Sequence, residues 1–276
     1  MDITLGEEKI VELLATFDAE QIREKALAKR VDAFGSIAKF MSRPRADEIE
    51  ITQSQKRYEP FWYGAARAHY QYDRRHRYEV PVAAEVRAVT FHDHDHPVQP
   101  AHTFQLDAVE HCEEDVQRVM MLDAQRGEEK DFSKYLTYGK RDVASLEALQ
   151  GEGALVISPE VRSSYLVGKL TQTLMKVIQA DQILDERIDV SEVILYYRPI
   201  YAFEYWWKAK DKRTVVEYNA LTGEARSEPG QMKKQVVRVL DNDTLFDIGA
   251  DTVGTFVPGM NVVIKLGRFA ARQVLK

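Results

Sequence analysis

A chain of 276 residues, 45% of them hydrophobic, has enough apolar material for a sizeable core in one large domain or two smaller ones, which argues against a disordered protein. Acidic side chains outnumber basic ones, 44 to 38, for a formal net charge of -6, so a surface that binds nucleic acid throughout is excluded and only a local basic patch stays open. The single cysteine, Cys112, excludes an intramolecular disulfide, and the opening MDITLGEEKI has neither the basic nor the apolar region of a signal peptide, so the cytoplasm is the expected compartment.

In chain order, Asp18 can cap a helix with Gln21 reaching back to it, and Leu27, Val31, Phe34, Ala38 and Met41 then recur at helical spacing up to Pro44. Beyond Tyr58, Pro60, Phe61 and Trp62, the residues Ala66, Ala68, Tyr70 and Tyr72 alternate with Arg67, His69, Gln71 and Asp73. That period of two predicts a half-buried strand, which DRRH turns into RYEVPV. All seven histidines lie between 69 and 111. In FHDHDHPVQPAH, an extended chain puts His92, His94 and His96 on one face, where they could bind zinc, nickel or copper with His102 or Cys112 as further ligands. A solvated hairpin tip is the competing reading, because Pro97 ends the run and no second ligand pair stands at a recognised spacing. No resident cofactor is expected, a divalent transition metal being the alternative.

Asp107 with Glu110 reads as a capping box that opens a helix through Val109, Cys112, Val116 and Met120 to Gly127, with Cys112 as a buried structural thiol. A polar loop and a short helix around Leu146 and Leu149 follow. Ser158 and Pro159 then start a helix with Leu166, Leu170, Leu174, Val177 and Ile178 on its apolar face. Next comes YYRPIYAFEY, in which Tyr201, Phe203, Tyr205 and Trp207 share one face. KAKDK turns the chain and RTVVEYNALTGEA returns as a second strand. Trp206 points opposite Trp207 and is an interface candidate.

An offset of 139 positions lays Tyr58, Pro60, Phe61 and Trp62 on Tyr197, Pro199, Ile200 and Tyr201 without a gap, and Ile49 to Thr52 on Ile188 to Ser191. Helix, strand and hairpin recur around both copies, which suggests internal duplication. Each proline should mark where its strand bends or begins. The segment VVEYNALTGEA at 215 to 225, with its preceding helix, resembles the closing strand and turn of PepSY-like domains, although the first unit lacks that turn. The resemblance implies a small helix-on-sheet module used for inhibition or binding, with no catalytic residue to carry over.

After Gly230 the chain reads as helices broken by DND and VPG, and TVGTFVPGMNVVI is too short for a membrane span. In MNVVIKLGRFAARQVLK, which has no acidic residue, Lys265, Arg268, Arg272 and Lys276 recur at helical spacing as a basic face. Such a helix docks on an acidic protein partner, the preferred reading, or on an anionic membrane surface. No nucleophile elbow, Walker loop or dinucleotide fingerprint is present. The expectation is therefore an α+β protein of two related helix-plus-antiparallel-sheet units, 1–106 and 153–228, with a helical insert at 107–152 and a helical tail at 229–276. Its expected role is that of a non-catalytic cytoplasmic binding or assembly protein, acting through aromatic sheet faces and the basic C-terminal helix. The alternative is a metal-dependent enzyme or metal-binding protein that uses His92, His94 and His96.

Overall fold

Residues that alternate apolar and polar over unusually long runs, rich in Tyr, Val and Ile, favour extended chain, and extended chain dominates this protein. The computed structural model describes residues 1–35, 45–149, 153–226, 245–246 and 263–266. Its strands are β1 (Asp2–Leu13), β2 (Ile49–Pro81), β3 (Ala88–Phe91), β4 (His94–Pro97), β5 (Thr103–Asp123), β6 (Lys140–Val143), β7 (Leu155–Val156), β8 (Gln182–Trp207), β9 (Lys212–Asn219) and β10 (Val263–Leu266). Helices α1 (Ala19–Ala28) and α2 (Ser163–Leu174) pack on them.

One mixed sheet runs in the order β10, β1, β8, β2, β5, with β6 beside β1, β7 beside β2 and β9 beside β8. Strands β2 and β8 form its antiparallel centre, and β1 runs parallel to β8. Strand β2 also pairs with β5 from Phe61 out to Pro81, whereas its pairing with β8 stops at Asp73. The last part of β2 and the first part of β5 therefore leave the sheet as a two-stranded ribbon, beyond which β3 and β4 make a separate hairpin.

This architecture corrects the expected fold class: the protein is mostly β, and strand β5 stands where the helical insert should begin. Val109, Cys112, Val116 and Met120 have helical spacing, but the charges beside them match β2 across the ladder. Arg77 bonds to Asp107, Arg74 to Glu110 and Arg67 to Asp115, and Tyr72 donates to Glu114. The two acids of the apparent capping box are thus spent on cross-strand partners. The helical tail is corrected in the same way where it is described, since Val263–Leu266 pairs in parallel with Asp2 to Leu5. Helix α2 begins later than Ser158, because the amides of Glu160 and Val161 donate to the Ala124 carbonyl at 2.9 and 3.0 Å before the helix starts. It ends at Leu174, whose carbonyl accepts from the Tyr70 hydroxyl at 2.6 Å, and Val177 is left exposed. The capping box of Asp18 and Gln21 forms as read.

The two helices cover opposite ends of one sheet face. Leu166, Leu170 and Leu174 of α2 lie on Trp62, Ala66, Ala68 and Tyr70, and Ile22 and Ala26 of α1 lie on Tyr201, Phe203, Tyr205 and Trp207. The face shared by Tyr201, Phe203, Tyr205 and Trp207 is therefore interior. Gly64 lets α2 come close: a Cβ there would meet Leu170 at 2.5 Å and Leu166 at 2.9 Å. Gly64→Val should lower stability by about 1–3 kcal/mol through overpacking. A chemical-denaturation midpoint that does not move would show that α2 shifts freely.

The structure gives the repeated prolines a common setting. Tyr58 faces Pro199, Glu59 faces Arg198 and Pro60 faces Tyr197, so the two copies of the motif pair with each other. On the other side of β2, Pro60 falls between β7, which pairs with Arg57 and Tyr58, and β5, which starts at Phe61. On the other side of β8, Pro199 falls between β1, which ends at Tyr197, and β9, which starts at Ile200. Proline has no amide hydrogen to offer, and both occupy a gap where the flanking strand changes.

Candidate anion-binding cavity

Alternation places Arg57 and Glu59 on the sheet face opposite the helices, and the register sets Arg198 of β8 directly across from Glu59. Glu217 of β9 joins them across from Ala202. The chain returns to the same place because β9 ends in a tight turn. The Asn219 side chain accepts from the Leu221 amide at 2.8 Å, and Gly223, at φ +72°, donates to the Asn219 carbonyl at 2.7 Å. This turn brings Arg226 back beside Glu217, its amide donating to the Glu217 carbonyl at 2.8 Å.

Three guanidinium groups and two carboxylates result. Arg57 is fully buried, and its Nε and Nη2 donate to Glu59 at 2.9 and 2.8 Å while Nη2 also contacts Glu217. Arg226 donates to Glu217 at 2.7 Å and to Glu59. Burial alone would raise the Glu59 pKa, but Arg226, Arg198 and Arg57 outweigh it and hold the carboxyl down to about 2. Arg198 is less well served. Its Nη2 reaches Glu59 at only 3.4 Å and its side chain also hydrogen-bonds to Tyr135, but its buried Nε has no hydrogen-bond partner among the described residues, and burial lowers its pKa.

Phe132 and Tyr135, held in the short turn Ser133–Thr137, form an aromatic wall over this cluster. The Arg198 guanidinium lies 5.2 and 5.3 Å from their ring centroids, and Phe132 stacks on Phe61 at 4.5 Å. Between the wall, the charge cluster and the 219–226 turn is a cavity of about 600 Å³, whose mouth carries Asp123, Arg126, Lys130, Lys134 and Glu224. Its volume is that of a small-molecule site. Nothing in the sequence pattern marked it, because its residues come from four separated segments. The one legible sign was a charged residue, Glu59 or Arg198, standing inside each aromatic motif.

The residues singled out from the sequence lie elsewhere. His92 and Asp93 form the turn of the β3–β4 hairpin, at φ 47° and 60°, and His94 and His96 follow on β4. His96 packs 5.8 Å from Phe104, and His102 occupies a further turn at φ 57°. Among the described residues, the group of potential metal ligands whose atoms lie within 4.8 Å of one another is instead His69, Glu113 and Asp115, on the open sheet face. There Arg67 already donates to both Asp115 oxygens, at 2.9 and 2.7 Å, and a cation would have to displace it. Replacing the exposed His92 and His94 together by Asn should change stability by less than about 0.5 kcal/mol, as for other exposed positions. A larger loss in the unfolding midpoint would give the hairpin a structural role.

Trp206 lies opposite the buried Trp207, as alternation requires, and is half-buried: its Nε1 donates to Asp211 at 2.9 Å and Arg213 lies 5.4 Å above its ring. The backbone of Lys265 belongs to β10, and Arg268, Arg272 and Lys276 lie outside the described residues. No helix among the described residues is long and apolar enough to cross a membrane. Comparisons with protein-family models, curated proteins and solved structures found no match to this chain.

Proposed function

We propose that this chain is a non-catalytic binding protein whose ligand is a small anion held in the cavity between the sheet and the Phe132–Tyr135 wall. The observation that carries the reading is Arg198, which shares the cluster with Arg57 and Arg226, reaches Glu59 at only 3.4 Å and has a buried Nε with no hydrogen-bond partner among the described residues. A buried guanidinium donor left unpaired is costly, and a carboxylate or phosphate oxygen relieves it with a charge-assisted bond. The same geometry speaks against proton-transfer chemistry. A carboxyl held near 2 is a poor general base at neutral pH, and neither His nor Cys lines the cavity among the described residues.

Thermal unfolding of the full chain with acetate or inorganic phosphate, against chloride at equal ionic strength, tests the proposal. At least one of the two anions should raise the melting temperature, as any ligand that binds only the folded state must. Arg198→Met, with its fold checked by circular dichroism, should remove that response. Equal melting temperatures in all three salts would overturn the reading.

A further inference from the structure

The cavity offers cationic donors at two separate places. At its depth is Arg198, with Arg57 and Arg226 behind it, all three tied into the buried carboxylate pair. At its mouth are Arg126 and Lys134, both exposed and neither in an ion pair among the described residues. Their neighbour Lys130 is already shared between Asp123 and Glu128, at 3.2 Å to each. Phe132, Tyr135 and Pro60 supply the wall between the two places, with Asn219 and Thr222 also on the lining. A single phosphate or carboxylate at Arg198 would leave most of the roughly 600 Å³ unfilled and the mouth donors unused.

Building on the anion-binding reading, we infer that the ligand is a small molecule with two anionic groups, one seated against Arg198 and the second between Arg126 and Lys134. A short body lies along the Phe132 and Tyr135 rings, so the class is a dicarboxylate or a bisphosphorylated small molecule. Linking two weak contacts in one molecule makes the second nearly intramolecular, so the two-group ligand gains affinity with no new kind of contact.

Isothermal titration of the full chain at constant ionic strength decides this, with acetate against succinate and inorganic phosphate against fructose 1,6-bisphosphate. At least one two-group anion should bind about 10-fold or more tightly than its single-group counterpart. In the surface variant Arg126→Ala/Lys134→Ala that advantage should fall to within about twofold. If single-group and two-group anions bind alike, or if the advantage survives in the variant, the two-pole inference is overturned while anion binding at Arg198 stands. If none of the four probes binds, both fall.

Discussion

Replacing Arg57 by Met should cost about 3–5 kcal/mol, the range found when one member of a buried ion cluster is removed and its partners stay behind. Arg57 is fully buried between Glu59 and Glu217, and it bridges β2 to β9 across the central pair of strands. Without it, Glu59 keeps Arg226 and the weak contact of Arg198 at 3.4 Å, and Glu217 loses one of the two arginines that hold it here. Lys at this position should recover little, because a single ammonium cannot hold both carboxylates in the forked geometry of a guanidinium. Guanidinium-chloride unfolding of the two variants measures the effect. A loss below about 1 kcal/mol for Arg57→Met would mean that the cluster relaxes, as replaced ion pairs sometimes do.

Acid should reveal the same cluster. The Glu59 carboxyl is held near 2 in the folded protein against 4.5 in its ordinary state, so its folded pKa is depressed. The stability it contributes is fully present above about pH 4.5 and is lost as pH falls toward 2, the unfolded chain taking up the proton first. The shift corresponds to something on the order of 3 kcal/mol. Other carboxylates, including Asp123 and Glu114, are also held down and add to the acid sensitivity. The informative quantity is therefore the difference between the unmodified chain and Glu59→Gln. That difference should be largest near neutral pH and shrink steadily below pH 4.5. A difference that stays constant down to pH 2 would show that Glu59 is not held ionised by its three arginines.

Both results bear on function, because the groups that stabilise the centre of the sheet also line the proposed site. A ligand anion on the Arg198 Nε would lie on the guanidinium that also faces Glu59, so binding and acid stability meet at one pair of opposed residues.

Local signals were legible wherever a short stretch settles its own conformation. The Asp18–Gln21 capping box, the alternation from Ala66 to Tyr72, the shared face from Tyr201 to Trp207 and the opposite setting of Trp206 all follow from side-chain chemistry over a few residues. The likeness of the two Tyr-x-Pro motifs was legible too, as an offset along the chain. Tertiary structure alone decided that these motifs face each other across the centre of one sheet, which sets Glu59 opposite Arg198. It also decided that residues 103 to 123 are strand, because the charges of that segment match β2, a partner some 40 residues away, better than they match a helix of their own. The cavity belongs to this second kind. The arginines and carboxylates at its depth come from β2, β8, β9 and the turn after it, and only long-range register, which no local period encodes, brings them together.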